Sequence, residues 1–445
     1  MEVLNIKKMP PSRILLLFFI GAIFIGSLLL MLPGATTKGN EITYLTSLFT
    51  ITSAISVTGL SLVDVSKVFT PVGQIIILVF IQLGGLGIMT FSSLIFLLIG
   101  KRITYHERKI LKEDLNAEST GEVTDFIKRL IIIVFTIELA GALLLAIGFM
   151  RTMNPKKAIL YGVFHSVSAF CNAGFSLFTN NLEGYSENFI VNITVAFLIL
   201  IGGIGFAVIN SWMTYITTSR KRFNLTSKMA IFISGVLTLL GMGAFLVLEF
   251  RNPNTIGDMN IIQKIVASFF QSVTTRTAGF NSVPMGDLNP GTIFLFCILM
   301  FIGASPGSTG GGIKTTTFGV IAFYVVGIVR GREDIEVANR RISWEILNRA
   351  LAILVISVIY VSIIILMILV FDDLGFEETI FEVVSAFATV GLSMGITAEM
   401  NLFSKILIMM TMLIGRLGPL TFALALGEQK MKNARRYPKE NILIG

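Results

Sequence analysis

The chain reads as an all-α integral membrane protein in which four units of helix, pore loop and helix surround one pseudo-fourfold pore. Three observations predict this. Apolar runs of spanning length recur from end to end, a pattern closing on glycine returns four times, and the basic residues cluster on alternate connections. Of the 445 residues, 54% are hydrophobic and only 14% are charged, against about 25% charged in an average soluble domain. The mean hydropathy is +0.82.

A spanning helix needs about 20 mostly apolar residues. Such runs cover Ile14 to Leu32, Val72 to Gly100, Leu130 to Met150, Phe189 to Thr214, Met229 to Leu248, Ala350 to Phe371 and Phe403 to Leu426. Two shorter runs, Thr292 to Ala304 and Ile313 to Val329, flank Ser305 to Gly312 and read as halves of one broken helix. Lys7, Lys8 and Arg13 precede the first run, as in a signal peptide. The run is longer than the usual apolar region of about 7 to 15 residues, so a retained anchor is expected.

Orientation follows from the basic residues. Most of the 35 Lys and Arg fall on the N-terminus, Lys101 to Arg129, Arg220 to Lys228, Arg330 to Arg349 and Lys430 to Lys439. Placing these inside gives an even number of crossings and two cytoplasmic termini. The net charge of +8 therefore faces anionic lipid headgroups, and nucleic acid is not expected as a partner. Two cysteines, Cys171 and Cys297, and two histidines, His106 and His165, are too few for a disulfide framework or a zinc site.

The internal repeat is the main signal. Four outer segments align without a gap: Phe49 to Ser61, Phe164 to Ser176, Phe269 to Asn281 and Phe381 to Ser393. Each has Phe ten residues before a glycine, with Leu or Phe directly after it. The glycines are Gly59, Gly174, Gly279 and Gly391. A second echo follows at Gly84-Gly-Leu-Gly87, Gly202-Gly-Ile-Gly205, Gly303-Ala-Ser-Pro306 and Gly415-Arg-Leu-Gly418, where close helix packing is expected. Repeats at 1–110, 111–222, 223–335 and 336–430, with a tail at 431–445, account for eight crossings and four re-entrant loops.

A loop can enter a membrane only where its backbone is buried in protein or lines water. Lead-ins such as Tyr44 to Ile55 and Phe381 to Phe387 have the length of a short pore helix, whose C-terminal carbonyls carry partial negative charge. The stretches after them must turn carbonyls inward to replace a cation's hydration shell, and glycine permits the turn. The ion-binding positions expected are Val57, Thr58 and Gly59; Asn172, Ala173 and Gly174; Thr277, Ala278 and Gly279; and Thr389, Val390 and Gly391. Asp372, Asp373, Glu377, Glu378 and Glu382 read as an acidic mouth that concentrates cations. Arg276, a cation beside a cation path, is expected to point away from the axis and pair with an acid behind the loop.

The Gly, Ser and Pro density from Phe301 to Thr317 cannot remain helical in mid-crossing. Its position puts a polar loop beneath the glycine segments, and Ser305, Pro306, Gly307, Ser308, Thr309, Gly310, Gly311 and Gly312 are expected to form a gate with Lys314 and Arg416. A nucleotide-binding reading of Gly307 to Lys314 fails, because Ile313 separates the glycine from the lysine and no strand precedes them. Arg416 is a charge at membrane depth, expected to meet the loop's carbonyls or form a barrier. Lys314 would do the same or extend to the inner surface. Glu138 is expected to hold a helix-helix partner.

These motifs together resemble the Ktr/Trk/HKT superfamily of potassium transporters, from Pro11 to the end of the chain. The specific features are the four glycine loops, the run Gly303 to Lys314 and the run Gly415 to Thr421. With no extra helices before the first repeat, the chain is most similar to the bacterial Ktr membrane subunit, the ion-translocating one. The resemblance implies potassium as the transported ion and no cofactor in this chain. It implies filter glycines at Gly59, Gly174, Gly279 and Gly391, with Gly59 favouring potassium over sodium. It also implies a homodimer in the plasma (inner) membrane with a cytosolic ring of nucleotide-binding regulatory subunits. The tail Arg436 to Gly445 resembles the segment that joins the dimer contact. The stretch Lys101 to Arg129 is too short to hold a nucleotide-binding domain, so nucleotide control would come from another chain.

The alternative is a sodium-coupled secondary cation transporter with alternating access. That architecture expects breaks in two corresponding halves, and only one broken helix is expected here. A subunit accessory to a rotary ATPase is not separated by motif. An enzyme would need a nucleophile, base or metal cluster in register, and the sequence supplies none.

Overall fold

Four long apolar helices alternate with short ones along the chain. The computed structural model describes residues 11–39, 42–87, 123–217, 224–332 and 334–426. Lys7 and Lys8, most of the Lys101 to Arg129 connection, the repeat boundaries at 110/111 and 222/223 and the tail at 431–445 lie outside the described residues.

The long helices are α1 (Pro11–Leu30), α4 (Val123–Phe149), α8 (Leu225–Glu249) and α12 (Trp344–Phe371), and these four are long and apolar enough to cross a membrane. Each is followed by a short helix ending at a glycine segment: α2 (Tyr44–Ile55), α5 (Pro155–Phe170), α9 (Ile261–Thr274) and α13 (Phe376–Phe387). Side-chain caps start three of them, from Thr43, Asn154 and Asn260, the last in a reciprocal pair with Gln263. A further helix then leads away: α3 (Pro71–Leu86), α6 (Phe189–Gly203), α10 (Pro290–Phe301) and α14 (Leu402–Leu417).

These last helices have 16, 15, 12 and 16 residues, which at about 1.5 Å per residue fall short of a bilayer core of about 30 Å. They are short because each one stops. Gly87, Gly205 and Gly418 take φ of 82°, 101° and 86°, a conformation that no helix continues through. In the third unit the chain leaves the helix at Ile302 and re-enters one at Thr315. Continuations follow as α7 (Phe206–Thr217), α11 (Thr315–Val329) and α15 (Pro419–Leu426). The expectation of one broken helix is therefore corrected: the second and fourth units break too. In the first, second and fourth echoes the final glycine supplies the break, while the first glycine supplies the packing. A Cβ on Gly84, Gly202 or Gly415 would run into the carbonyl of Ile55, Phe170 or Phe387, the last residue of α2, α5 or α13.

The units close on themselves. Helix α3 packs on α5, α6 on α9, α10 on α13, and α14 returns to α2. Among the described residues two large hydrophobic cores fill the interior, one centred on the first two units and one on the last two, with Phe49 and Leu60 of the first unit joining the second core; two smaller clusters lie around Met229 and Ile233 of α8. The outward surface stays apolar: Leu239 is 68% exposed and Val247 77%, on a scale that implies lipid contact. A two-stranded hairpin, β1 (Ile335–Val337) with β2 (Arg340–Ile342), links α11 to α12.

The packing distinguishes two glycines in one assay. Gly84→Ala is expected to destabilise the protein by about 1–3 kcal/mol, because its methyl meets rigid backbone. Gly243, inside α8, has nothing within 4 Å of an added Cβ, so Gly243→Ala should be neutral or stabilising by up to about 1 kcal/mol. Unfolding midpoints in mixed micelles measure both, and equal midpoints would contradict the packing role of Gly84.

Candidate functional site: a ring of glycine segments above a polar loop

The four glycines meet at one place. A Cβ on Gly59 would lie 2.5 Å from the carbonyl oxygen of Ala173, and one on Gly174 would lie 2.9 Å from that of Ala278. Gly279 faces the carbonyl of Val390 in the same way, and Gly391 faces that of Thr58. The order runs from first unit to second, third, fourth and back to first. Every carbonyl just before a glycine thus abuts the preceding unit's glycine, with no room for a side chain.

Backbone conformation repeats with the same register. Val57, Asn172, Thr277 and Thr389 have φ of 57°, 59°, 70° and 52°, and the glycines two residues on have 96°, 68°, 74° and 91°. Extended chain sends successive groups to opposite sides; positive φ at every second residue brings successive carbonyls to one side. Four non-glycine residues in this region cost about 1–3 kcal/mol each, so the surroundings must hold them. The short helices do this. Thr58, Ala173 and Val390 donate backbone N–H to the carbonyls of Ser53, Ser168 and Ser385 at 2.8, 2.7 and 2.8 Å, and Ala278 donates to Thr274 at 3.0 Å. The Ser53 and Ser385 hydroxyls accept from the N–H of Gly59 and Gly391, each at 3.0 Å. Ser168 and Thr274 instead donate their hydroxyls to the carbonyls of Phe175 and Phe280. Sequence reasoning missed these anchors, although serine stands six residues before the glycine in three of the four aligned segments.

The polar loop lies against this ring at the level of Thr277 and Thr389. Gly311 N–H donates to Thr389 Oγ1 at 3.0 Å, and a Cβ on Gly310 would strike Thr277 Oγ1. Thr309 Oγ1 donates to the Phe170 carbonyl at 3.2 Å. The loop also docks on the break in the second unit: Ser305 and Thr309 N–H donate to Gly203 and Gly202, and Phe206 N–H donates to Gly307 at 2.7 Å. Internally, Ala304 N–H bonds Gly311 O, Ser308 Oγ bonds Ser305 O, and Ser305 Oγ lies 2.9 Å from Thr315 Oγ1. Pro306 packs its carbonyl against Gly205, and Gly312, at φ 70°, lies against Ala388.

Two half-buried cations belong to the same assembly. Arg416, on α14, donates Nη1 to the Thr309 carbonyl and Nη2 to the Gly84 carbonyl, tying the fourth unit to the third and the first. Lys314 Nζ donates to Gly310 O at 2.7 Å, within the loop. Glu138 accepts from Gln82 Nε2 at 3.0 Å, the helix-helix partner expected of it.

A family model described as "TrkH: Cation transport protein" matches residues 6–434. The chain belongs to the TrkH cation transport family. The Ktr system potassium uptake protein B of Bacillus subtilis (strain 168) is 40% identical over 444 residues, 100% of this chain and 99% of that one. The Ktr system potassium uptake protein B of Vibrio alginolyticus is 35% identical over 433 residues, 97% and 94% of the two chains. The crystal structure of the potassium transporter TrkH from Vibrio parahaemolyticus has the same fold, with a TM-score of 0.73 over 94% of this chain and 86% of that one, at 18% identity.

Two expectations for this TrkH-family chain are corrected. Arg276 does turn away from the ring, but its partner is Ser234, through Nη1 to the carbonyl at 2.8 Å and Nη2 to the hydroxyl at 2.9 Å, and not an acid. A helix carbonyl and hydroxyl replaced the carboxylate because α8 passes directly behind the segment. Glu382 is not part of a solvated mouth. It is wholly buried in α13, where Thr397 Oγ1 donates to it at 2.5 Å; the helical turn that exposes Glu377 points Glu382 inward. At the outer rim, Asn181 donates Nδ2 to the Gly279 carbonyl at 3.1 Å, a contact from a distant loop with no sequence signature. Beside it, burial raises the Glu183 carboxyl above its usual range, offset by a hydrogen bond from Asn281.

The hydroxyl anchors are testable. Ser53→Ala and Ser385→Ala each remove one hydrogen bond to a ring glycine and should cost about 1 kcal/mol of stability. Denaturation of the single and double variants measures it, and a double variant as stable as the parent would contradict the anchoring role.

Proposed function

We propose that the chain is the ion-translocating subunit of a potassium uptake system, passing potassium through a selectivity filter made by the four glycine segments. The closed order of glycine and carbonyl contacts carries this reading. It supports four helix, pore loop and helix repeats, eight crossings in total, about one pseudo-fourfold axis, with repeats at 1–110, 111–222, 223–335 and 336–430. Potassium is the ion because the relatives described above are potassium uptake proteins and because Gly59 stands in the first segment. Carbonyls of Thr58, Ala173, Ala278 and Val390, with their neighbours, replace water around the ion.

Ser305 to Gly312 is proposed as the gate. It lies under two of the segments and is held by Arg416 and Lys314, whose positive charges on the ion's path raise a barrier until the loop moves. Breaks in several units remove the argument against alternating access that one break would have supplied. The closed ring still favours a pore, since it offers one carbonyl-lined site instead of paired half-sites.

Both termini are placed in the cytoplasm by the basic connections. The protein would sit in the plasma (inner) membrane as a homodimer, with the tail Arg436 to Gly445 taking part in the contact. The relatives are named as parts of a Ktr system, which supports a second, cytosolic component, proposed to be a nucleotide-binding ring.

Uptake rescue of a potassium-requiring strain, repeated with rubidium and sodium, tests the reading. Gly59→Ser should lose discrimination against sodium, since its Cβ and hydroxyl crowd the Ala173 carbonyl. Deleting Gly310 to Gly312 should raise flux without changing ion preference. A Gly59→Ser protein with parental preference, or a deletion with parental flux, would overturn the role concerned.

A further inference from the structure

A cavity of about 290 Å³ lies between α6 and α8. Its walls are aliphatic, including Leu200, Ile231 and Leu239, and its polar groups are Ser234, Thr238 and Arg276. Ile231 and Leu239 are 43% and 68% exposed on the outward apolar face of α8, so the mouth opens towards lipid. Arg276 is only 6% exposed.

The polar end of this cavity is under-satisfied in one direction. Guanidinium carries five N–H donors, and Arg276 directs Nη1 and Nη2 only to Ser234. No ion pair among the described residues includes it. Thr238 is 6% exposed and its Oγ1 has no partner. A helix threonine ordinarily donates to the carbonyl one turn back, and here that carbonyl, of Ser234, is taken by Arg276. A charge at membrane depth without a counter-charge is costly. Spare donors, an idle hydroxyl and aliphatic walls together fit an anionic head with one alkyl chain. The volume is at the small end for ligand pockets, about 300–1,000 Å³, which suits a single chain better than a two-chain lipid with its headgroup.

We propose that this cavity binds a long-chain carboxylate, its head on Arg276 and Thr238 and its chain passing between α6 and α8 into the bilayer. Bound there, the carboxylate places a negative charge directly behind the third glycine segment, of which Arg276 is the neighbour. The site requires membrane residence but not the assigned ion path, so binding is read without ion flux.

The test uses the full chain in phosphatidylcholine liposomes with a nitroxide-labelled stearate, followed by electron paramagnetic resonance. The parent protein should immobilise the probe, unlabelled stearate should displace it, and stearate methyl ester should not. Arg276→Met should weaken binding about tenfold or more, the loss of charge-assisted hydrogen bonds. Gly235 also lines the cavity, with nothing within 4 Å of an added Cβ. Gly235→Leu therefore fills the space with Arg276 intact and decides the matter if Arg276→Met fails to fold. Displacement by the ester as good as by the acid, displacement by an alkyl phosphate better than by the carboxylate, or unaltered binding in Gly235→Leu would overturn the proposal.

Discussion

Four backbones meet in the middle of this protein at a distance that leaves no place for a Cβ, and the rest of the structure follows from holding them there. A peptide carbonyl inside a membrane needs a partner. In the ring, each carbonyl ahead of a glycine instead abuts the glycine of the preceding unit. Those carbonyls remain free to face an ion, which is the basis of the proposed function. The arrangement is strained at Val57, Asn172, Thr277 and Thr389, and the short helices with their serine and threonine anchors hold the strain.

The same constraint shapes the helices around the ring. The last residues of α2, α5 and α13 sit against glycines of α3, α6 and α14, so each short helix is clamped by the following one in its own unit. It is also supported by the preceding unit around the circle. Below, the glycine breaks open a level at which backbone groups would be unpaired. The polar loop of the third unit fills that level, pairing with the second unit through Gly202, Gly203 and Phe206. Arg416 completes it by donating to carbonyls of the third and first units. A guanidinium suits this place because its donors fork in a plane and reach two acceptors at once.

Much of this was legible in the sequence, because a repeat of glycine at fixed distance from phenylalanine reflects a geometric requirement and not a preference. The ring positions, the broken third-unit helix, the Glu138 contact and the approach of Arg416 to the loop could all be read from residue type and register. The breaks at Gly205 and Gly418 could not, since a glycine that packs and a glycine that turns are written with the same letter. Composition likewise cannot say which side of a helix an acid occupies, which is why Glu382 read as solvated and lies buried. Arg276 failed for a different reason: its partner, Ser234, is a main-chain carbonyl and hydroxyl on another helix, and neither announces itself locally. Asn181 at the rim belongs to this class as well.

The central claim is that one dehydrated cation is held by carbonyls from all four units. Anomalous scattering from crystals grown with rubidium or thallium tests it directly. The account predicts a peak on the common axis, within coordination distance of carbonyl oxygens of Thr58, Ala173, Ala278 and Val390 or their immediate neighbours. Ions located only elsewhere, with the ring vacant at saturating concentration, would contradict it.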